Sequence, residues 1–219
     1  MARELVSGNY EAIGDQTGGL LLAALLAALA GMVDAIGYLR LGHLFVSYMS
    51  GNSTQFAVAL GRGDVAGAGS IFVLILLFVL GAAAGQLLAR CTGRWHLTAV
   101  LGVVTILLAL AAVLATAPAP LVLAMGALNA SMHRVGRVGV SLTFVTGTLV
   151  KLGQGLGDFL IGRTRGWDWL AQASPWVGLI AGATIAGAAY LRIGGAVIWI
   201  AVAAAALLAV WSVVIPEPD

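Results

Sequence analysis

The sequence predicts an all-α membrane protein, with about six full transmembrane helices plus two broken or re-entrant helices, arranged as a pseudo-twofold internal repeat of four plus four segments. Three observations lead there. Only 9% of the 219 residues are charged and 61% are hydrophobic. Soluble domains carry about 25% charged residues, so polar side chains are too few here to cover a water-facing surface. The chain divides into apolar segments, several of which reach the ~20 residues a helix needs to cross a bilayer. One polar-containing pattern is also written twice. Gly31-Met32-Val33-Asp34-Ala35, followed by Met49-Ser50-Gly51-Asn52-Ser53, recurs about 95 residues later as Gly126-Ala127-Leu128-Asn129-Ala130, followed by Val145-Thr146-Gly147-Thr148-Leu149.

Residues 1–17 carry Glu4, Glu11 and Asp15 and lack the basic start and short apolar core of a secretory leader. They read as a polar tail. A single transmembrane domain is expected over 18–219, with repeat halves 18–116 and 117–219. Its apolar segments run approximately 19–41, 44–61, 67–89, 96–116, 119–133, 140–157, 174–191 and 194–215. The first, third, fourth, seventh and eighth are long enough to span. The fifth is short, but it follows Pro118 and Pro120, residues suited to a helix start.

The second and sixth segments differ, because each has a polar cluster near its middle: Ser50-Gly51-Asn52-Ser53-Thr54, and Thr143 with Thr146-Gly147-Thr148. Glycine interrupts a helix easily, and Ser, Thr and Asn cap helix N-termini. Half-helices are therefore expected from about Asn52 to Leu60 and from Thr148 to Leu156. Irregular backbone at membrane depth survives only when it is buried in protein or lines a cavity. If these segments cross, the halves are parallel; if they dip in and return, each half has three crossings and the halves are inverted. Leaving out Arg3 and Lys151, the arginines divide six to three in either model. Arg3 tips the count toward the re-entrant model with cytoplasmic termini. The sizeable hydrophilic loop, 158–173, places Arg163 and Arg165 beside Trp167 and Trp169, an interfacial anchor pattern.

The residues that carry chemistry lie in the repeated motifs. A carboxylate inside a bilayer is costly, and such groups usually line a pathway or pair with a partner. Aligning the halves sets Asp34 on Asn129 and Gln55 on Lys151, so each half keeps one charge where the other has an amide. An Asp34–Lys151 pair or shared pocket is expected; the plainer reading is that such a pair only docks the halves. Ser50, Gly51, Asn52, Thr146, Gly147 and Thr148 would offer hydroxyls and backbone N–H groups at half-helix starts, where partial positive charge favours anionic or dipolar groups. Their plainer role is close helix packing, as for Gly81-x-x-x-Gly85 and Gly178-x-x-x-Gly182.

Other chemistry is poorly represented. Met49-Ser50-Gly51 superficially resembles a nucleophile turn, but Tyr48 and Ser53 stand where a G-x-S-x-G elbow has its outer glycines. His43, His96 and His133 are isolated near segment ends, and Cys91 is the single cysteine. No metal-ligand cluster, phosphate loop or haem motif is visible, so no cofactor is expected and the chain is not expected to be an enzyme. No basic run points to nucleic acid.

On Gly31-Met32-Val33-Asp34-Ala35-Ile36-Gly37-Tyr38, on Phe45 through Asn52, and on Gly126–Ala130 with Thr146-Gly147-Thr148, the chain resembles the YoaK-like family of bacterial inner-membrane proteins, a family of unknown function. The family pattern has threonine before its first Gly-Asn; Ser50 stands there and keeps the hydroxyl. The resemblance covers nearly the whole chain beyond the tail. It implies a multi-pass protein of the bacterial inner membrane and supplies no substrate.

The expectation is a permease or channel for a small polar or zwitterionic solute, with its site between the halves near mid-membrane. The lipid bilayer and that solute would be its partners, with a homo-oligomer possible. The alternative is a non-transporting assembly or sensory subunit. A wet tunnel reaching Asp34 would favour transport, and a dry interface the alternative.

Overall fold

The computed structural model describes residues 2–114, 117–132, 145–163 and 168–214, with side chains from Gly18 onward except at 132, 145, 168 and 172. Over these residues the chain is helical and has no strand. The helices are α1 (Ala2–Arg40), α2 (Met49–Gly61), α3 (Val65–Thr92), α4 (His96–Val113), α5 (Ala119–Met132), α6 (Val145–Leu160), α7 (Ser174–Ile193) and α8 (Ile198–Ser212). Short 3₁₀ turns occupy Gly93–Trp95, Asp168–Ala173 and Gly194–Val197.

Three helical stretches are long and apolar enough to cross a membrane: Gly18–Arg40, Val65–Val113 and Trp169–Ser212. The second has 49 residues, which as one straight helix would extend about 73 Å, more than twice the ~30 Å hydrocarbon core. It breaks at Gly93, and the third breaks at Gly194, with φ of 53° and 55°. With ψ of −123° and −139°, both sit in a positive-φ region that a Cβ obstructs and glycine enters freely.

Three boundaries differ from the expectation. The helix of α1 begins at Ala2, so residues 2–17, read as a polar tail, are helical. Their Glu, Arg, Ala and Leu residues are good helix formers, and polarity opposes burial rather than helicity. Next, α2 starts at Met49 rather than Asn52, and α6 at Val145 rather than Thr148. Gly51 thus lies inside the first turn of α2, and Gly147 is helical. In the first half the irregular backbone falls upstream, at 41–48.

Helix directions follow from contact order. Gly178 meets Ala24 and Gly182 meets Ala28, so α1 and α7 run parallel. Gly81 meets Leu123 and Gly85 meets Ala127, so α3 and α5 run parallel. With Gly31 against Leu179 and Gly126 against Phe78, a Cβ at any of these six glycines would overlap a backbone carbonyl oxygen of the other helix. Such contact is what small residues permit in helix pairs without a hydrophobic drive to associate. Helices α4 and α8 are antiparallel: Thr98, in the first turn of α4, bonds through its hydroxyl to Ser212, the last residue of α8, at 2.8 Å. Since α3 turns back into α4 and α7 into α8, α3 is opposed to α7. It follows that α1 and α3 run in opposite directions although only α2 lies between them. Helix α2 is antiparallel to α3, with Phe56 on Phe72 across the turn at 62–64 (ring centroids 5.9 Å apart).

The core lies among α1, α4, α5 and α8, around the fully buried Leu26, Leu29, Val33, Ile36, Leu101, Leu108, Leu121, Met125, Leu128 and Ile198. The outward faces of α3 and α7 expose large apolar side chains, among them Phe72, Leu76, Val79, Leu87, Val177, Ile185 and Leu191. Patches of this extent mark a surface not meant for water.

Candidate functional site: the hairpin latched to Asp34

After α1 ends at Arg40, Gly42 (φ 64°) and His43 (φ 69°) adopt successive left-handed conformations and turn the chain. It then runs back along α1 toward Asp34. Gly37 makes room, since a Cβ there would stand 2.7 Å from Val46 Cγ1. Asp34 Oδ1 accepts from the Val46 N–H at 2.8 Å and the Ser47 N–H at 2.7 Å. Asp34 Oδ2 accepts from the Ser47 hydroxyl. Three donors thus converge on one half-buried carboxylate and satisfy it without a counter-ion.

A second side chain closes the hairpin from the other arm. Asn52, fully buried on α2, accepts from the Phe45 N–H at 3.0 Å and donates to the Phe45 carbonyl at 2.6 Å. Gln55 makes a long contact, 3.4 Å, to the His43 carbonyl. Residue 45 therefore faces 52 and residue 43 faces 55. Segment 43–47 and the start of α2 lie side by side, and α2 returns toward the end of α1 from which the segment came. Tyr48 folds onto Gly51, where a Cβ would stand 2.6 Å from its ring. Tyr38, His43, Phe45 and Tyr48 pack ring on ring along the hairpin, with centroids 4.7–5.3 Å apart.

The structure joins only some of the expected site residues. Asp34, Asn52 and Gly51 belong to one hairpin, with exposed Ser50 and half-buried Gln55 at its edge. The expected Asp34–Lys151 pair is not formed: Lys151 is exposed on α6, and the bonds to Asp34 come from residues 46 and 47. Helix α2 packs on α3, and α6 on the 168–173 turn and α7. Thr146, Gly147 and Thr148 are helical, within α6, and Thr143 falls outside the described residues. Asn129 is buried in α5; its Nδ2 donates to the Met125 carbonyl at 2.9 Å and its Oδ1 has no hydrogen-bond partner. The pairing expectation failed because a repeat alignment matches positions and carries no information on which neighbour satisfies a charge.

Sequence reasoning missed Ser47 and the backbone of 45–47. The available signal was Gly37, three residues after Asp34, which marks where a returning strand of chain can press on α1. A cleft of about 750 Å³ separates α1, α7 and α8; its lining, which includes Ala28, Leu29, Val177, Gly182, Ile185 and Leu207, is almost wholly apolar and excludes Asp34. Among the described residues no group of three His, Cys, Asp or Glu side chains is placed to hold a metal.

Comparison with known proteins places the chain in a family. Residues 22–211 match the family described as "Protein of unknown function (DUF1275)". The chain is similar to "UPF0700 transmembrane protein RA0705" of Rhizobium meliloti (strain 1021), 40% identical over 203 residues, covering 91% of this chain and 88% of that one. It is also similar to "UPF0700 transmembrane protein YoaK" of Bacillus subtilis (strain 168), 30% identical over 147 residues, 60% of this chain and 64% of that one. No solved structure matches. Its apolar helices and its likeness to these transmembrane relatives make it a membrane protein, and the chain belongs to the DUF1275 family.

Proposed function

We propose that this protein is a permease or channel for a small polar or zwitterionic solute, built as two inverted halves in the bacterial inner membrane. Each half has three crossings and one re-entrant helix, α2 or α6, and the chain performs no bond-making chemistry. The observation that carries the reading is the opposed direction of α1 and α3 on either side of the latched hairpin. A full crossing by α2 would leave them parallel. At 13 residues, α2 is also only about 20 Å long, short of the ~30 Å core.

The contact register supports the repeat. Gly31 rests on Leu179 and Gly126 on Phe78; Gly182 rests on Ala28 and Gly81 on Leu123. These pairs are related by 95 residues in α1 and α5 and by 101 in α3 and α7, the same offset that separates Gly93 from Gly194. Gly81 therefore corresponds to Gly182 rather than to Gly178, and the six extra residues fall in the longer loop before α7. Inverted halves with interrupted helices are common in secondary transporters. In this topology Arg90, Arg94 and Arg163 face the side of both termini, the cytoplasm by the positive-inside tendency, and Arg40, Arg62 and Arg192 the other.

A non-transporting membrane subunit is the second reading. One observation favours it: the cleft between α1, α7 and α8 is apolar and does not reach Asp34. Two measurements separate the readings. A thermal-shift screen of purified protein against metabolites identifies a solute that binds the folded state. Uptake of that solute into proteoliposomes then compares wild type with Asp34→Asn, whose membrane insertion is expected to be intact and whose uptake is expected to be lost or strongly altered. Normal, pH-independent uptake by the variant, or no uptake by either protein, counts against transport through this site.

A further inference from the structure

We propose that Asp34 is a proton-operated latch, whose carboxylate holds the 44–48 segment on α1 and whose protonation frees the re-entrant hairpin. The side from which the proton arrives, the extracytoplasmic face, rests on the inverted topology proposed above; the latch itself rests on the hydrogen bonds alone. The groups that hold the carboxylate are donors: the Val46 N–H, the Ser47 N–H and the Ser47 hydroxyl, with the Tyr48 backbone beside them. Hydrogen bonds to an ionised acceptor are roughly twice as strong as neutral ones. A proton taken up on Oδ2 turns that oxygen into a donor, so the Ser47 hydroxyl must rotate to accept. Oδ1 is left as a neutral carbonyl for two N–H groups. One protonation therefore weakens every bond of the latch together.

The segment it holds is built to move as a unit. It lacks helical or strand bonding over 44–48 and begins at the left-handed pair Gly42 and His43. Its second tether, Asn52, is neutral and does not respond to pH. Ionisable neighbours are few. Helices α2, α5 and α8 contain no ionisable side chain, and α7 carries Tyr190 and Arg192. Between Asp34 and the start of α2 lie Tyr38, Arg40, His43 and Tyr48. None of these supplies a charge to Asp34, whose interactions are with residues 46–48.

The test is hydrogen exchange of the Val46 and Ser47 amides in the full chain held in lipid nanodiscs, between pH 8 and pH 5, corrected for intrinsic exchange. Wild type is expected to lose protection at least tenfold as pH falls. Asp34→Asn is expected to be poorly protected and flat with pH, and His43→Gln to respond like wild type. Ser47→Ala, which removes one donor from the carboxylate, is expected to release at higher pH than wild type and serves if Asp34→Asn does not fold. Protection independent of pH in wild type, a response abolished by His43→Gln, or an unshifted midpoint in Ser47→Ala overturns the latch. No solute enters this measurement, so a responsive hairpin in a protein that moves nothing would remove the transport reading and keep the latch.

Discussion

Replacing Asp34 gives the sharpest test of what holds the hairpin. The carboxylate accepts three hydrogen bonds. Bonds to a charged acceptor contribute about 1.5–3 kcal/mol each and neutral ones about 0.5–1.5. Asp34→Asn keeps Oδ1 for the two backbone N–H groups and lets the Ser47 hydroxyl turn to accept from the new amide, so it loses roughly 1 kcal/mol per bond, about 3 kcal/mol in all. Asp34→Ala leaves three donors unpaired at about 1–3 kcal/mol each, and a loss of roughly 4–6 kcal/mol is expected. Ser47→Ala removes one bond to the charged acceptor and costs about 1.5–3 kcal/mol, toward the low end because the other two donors remain. At about 2–4 °C per kcal/mol for a chain of this size, Asp34→Asn should lower the melting temperature of purified protein by roughly 6–12 °C. The order should be Asp34→Ala, then Asp34→Asn, then Ser47→Ala. An Asp34→Asn protein that melts within ~2 °C of wild type, or an Asp34→Ala no worse than Ser47→Ala, would refute the reasoning.

Three further outcomes are expected. Asn52→Ala strands both the N–H and the carbonyl of Phe45, a loss of about 2–4 kcal/mol, and its thermal effect should be non-additive with that of Asp34→Asn because both tether one segment. Within α7, Gly182→Ala forces a methyl group into the Ala28 carbonyl and should destabilise by at least ~1–3 kcal/mol, whereas Gly187→Ala, with nothing within 4 Å of the added carbon, should be neutral or slightly stabilising in the same melting assay. In oriented vesicles, native Cys91, exposed at the end of α3, should react with a membrane-impermeant maleimide from the cytoplasmic side, and a cysteine at Arg192, exposed at the end of α7, in a Cys91→Ser background from the opposite side; labelling of both from one side, as a full crossing by α2 and α6 requires, would refute the inverted arrangement.

Membrane class and helix content were legible in residue types alone. A chain this poor in charge has no alternative to lipid or protein burial, and long apolar runs in lipid must satisfy their backbone internally as helices. Glycines at Gly81, Gly85, Gly178 and Gly182 announced close helix contact because only a missing side chain explains their spacing in lipid. Asp34 stood out because ionised groups in such a run are expensive. Which helices those glycines meet, and what Asp34 binds, depended on chain direction, and direction is a property of the packed molecule. The polar motifs suggested one shared pocket with Lys151. The structure instead turned the chain back after Arg40, because Gly37 leaves space for Val46 and three nearby donors satisfy the carboxylate at short range. A charge in a low-dielectric interior takes the nearest sufficient set of donors, and that set is settled by tertiary contact rather than by residue identity.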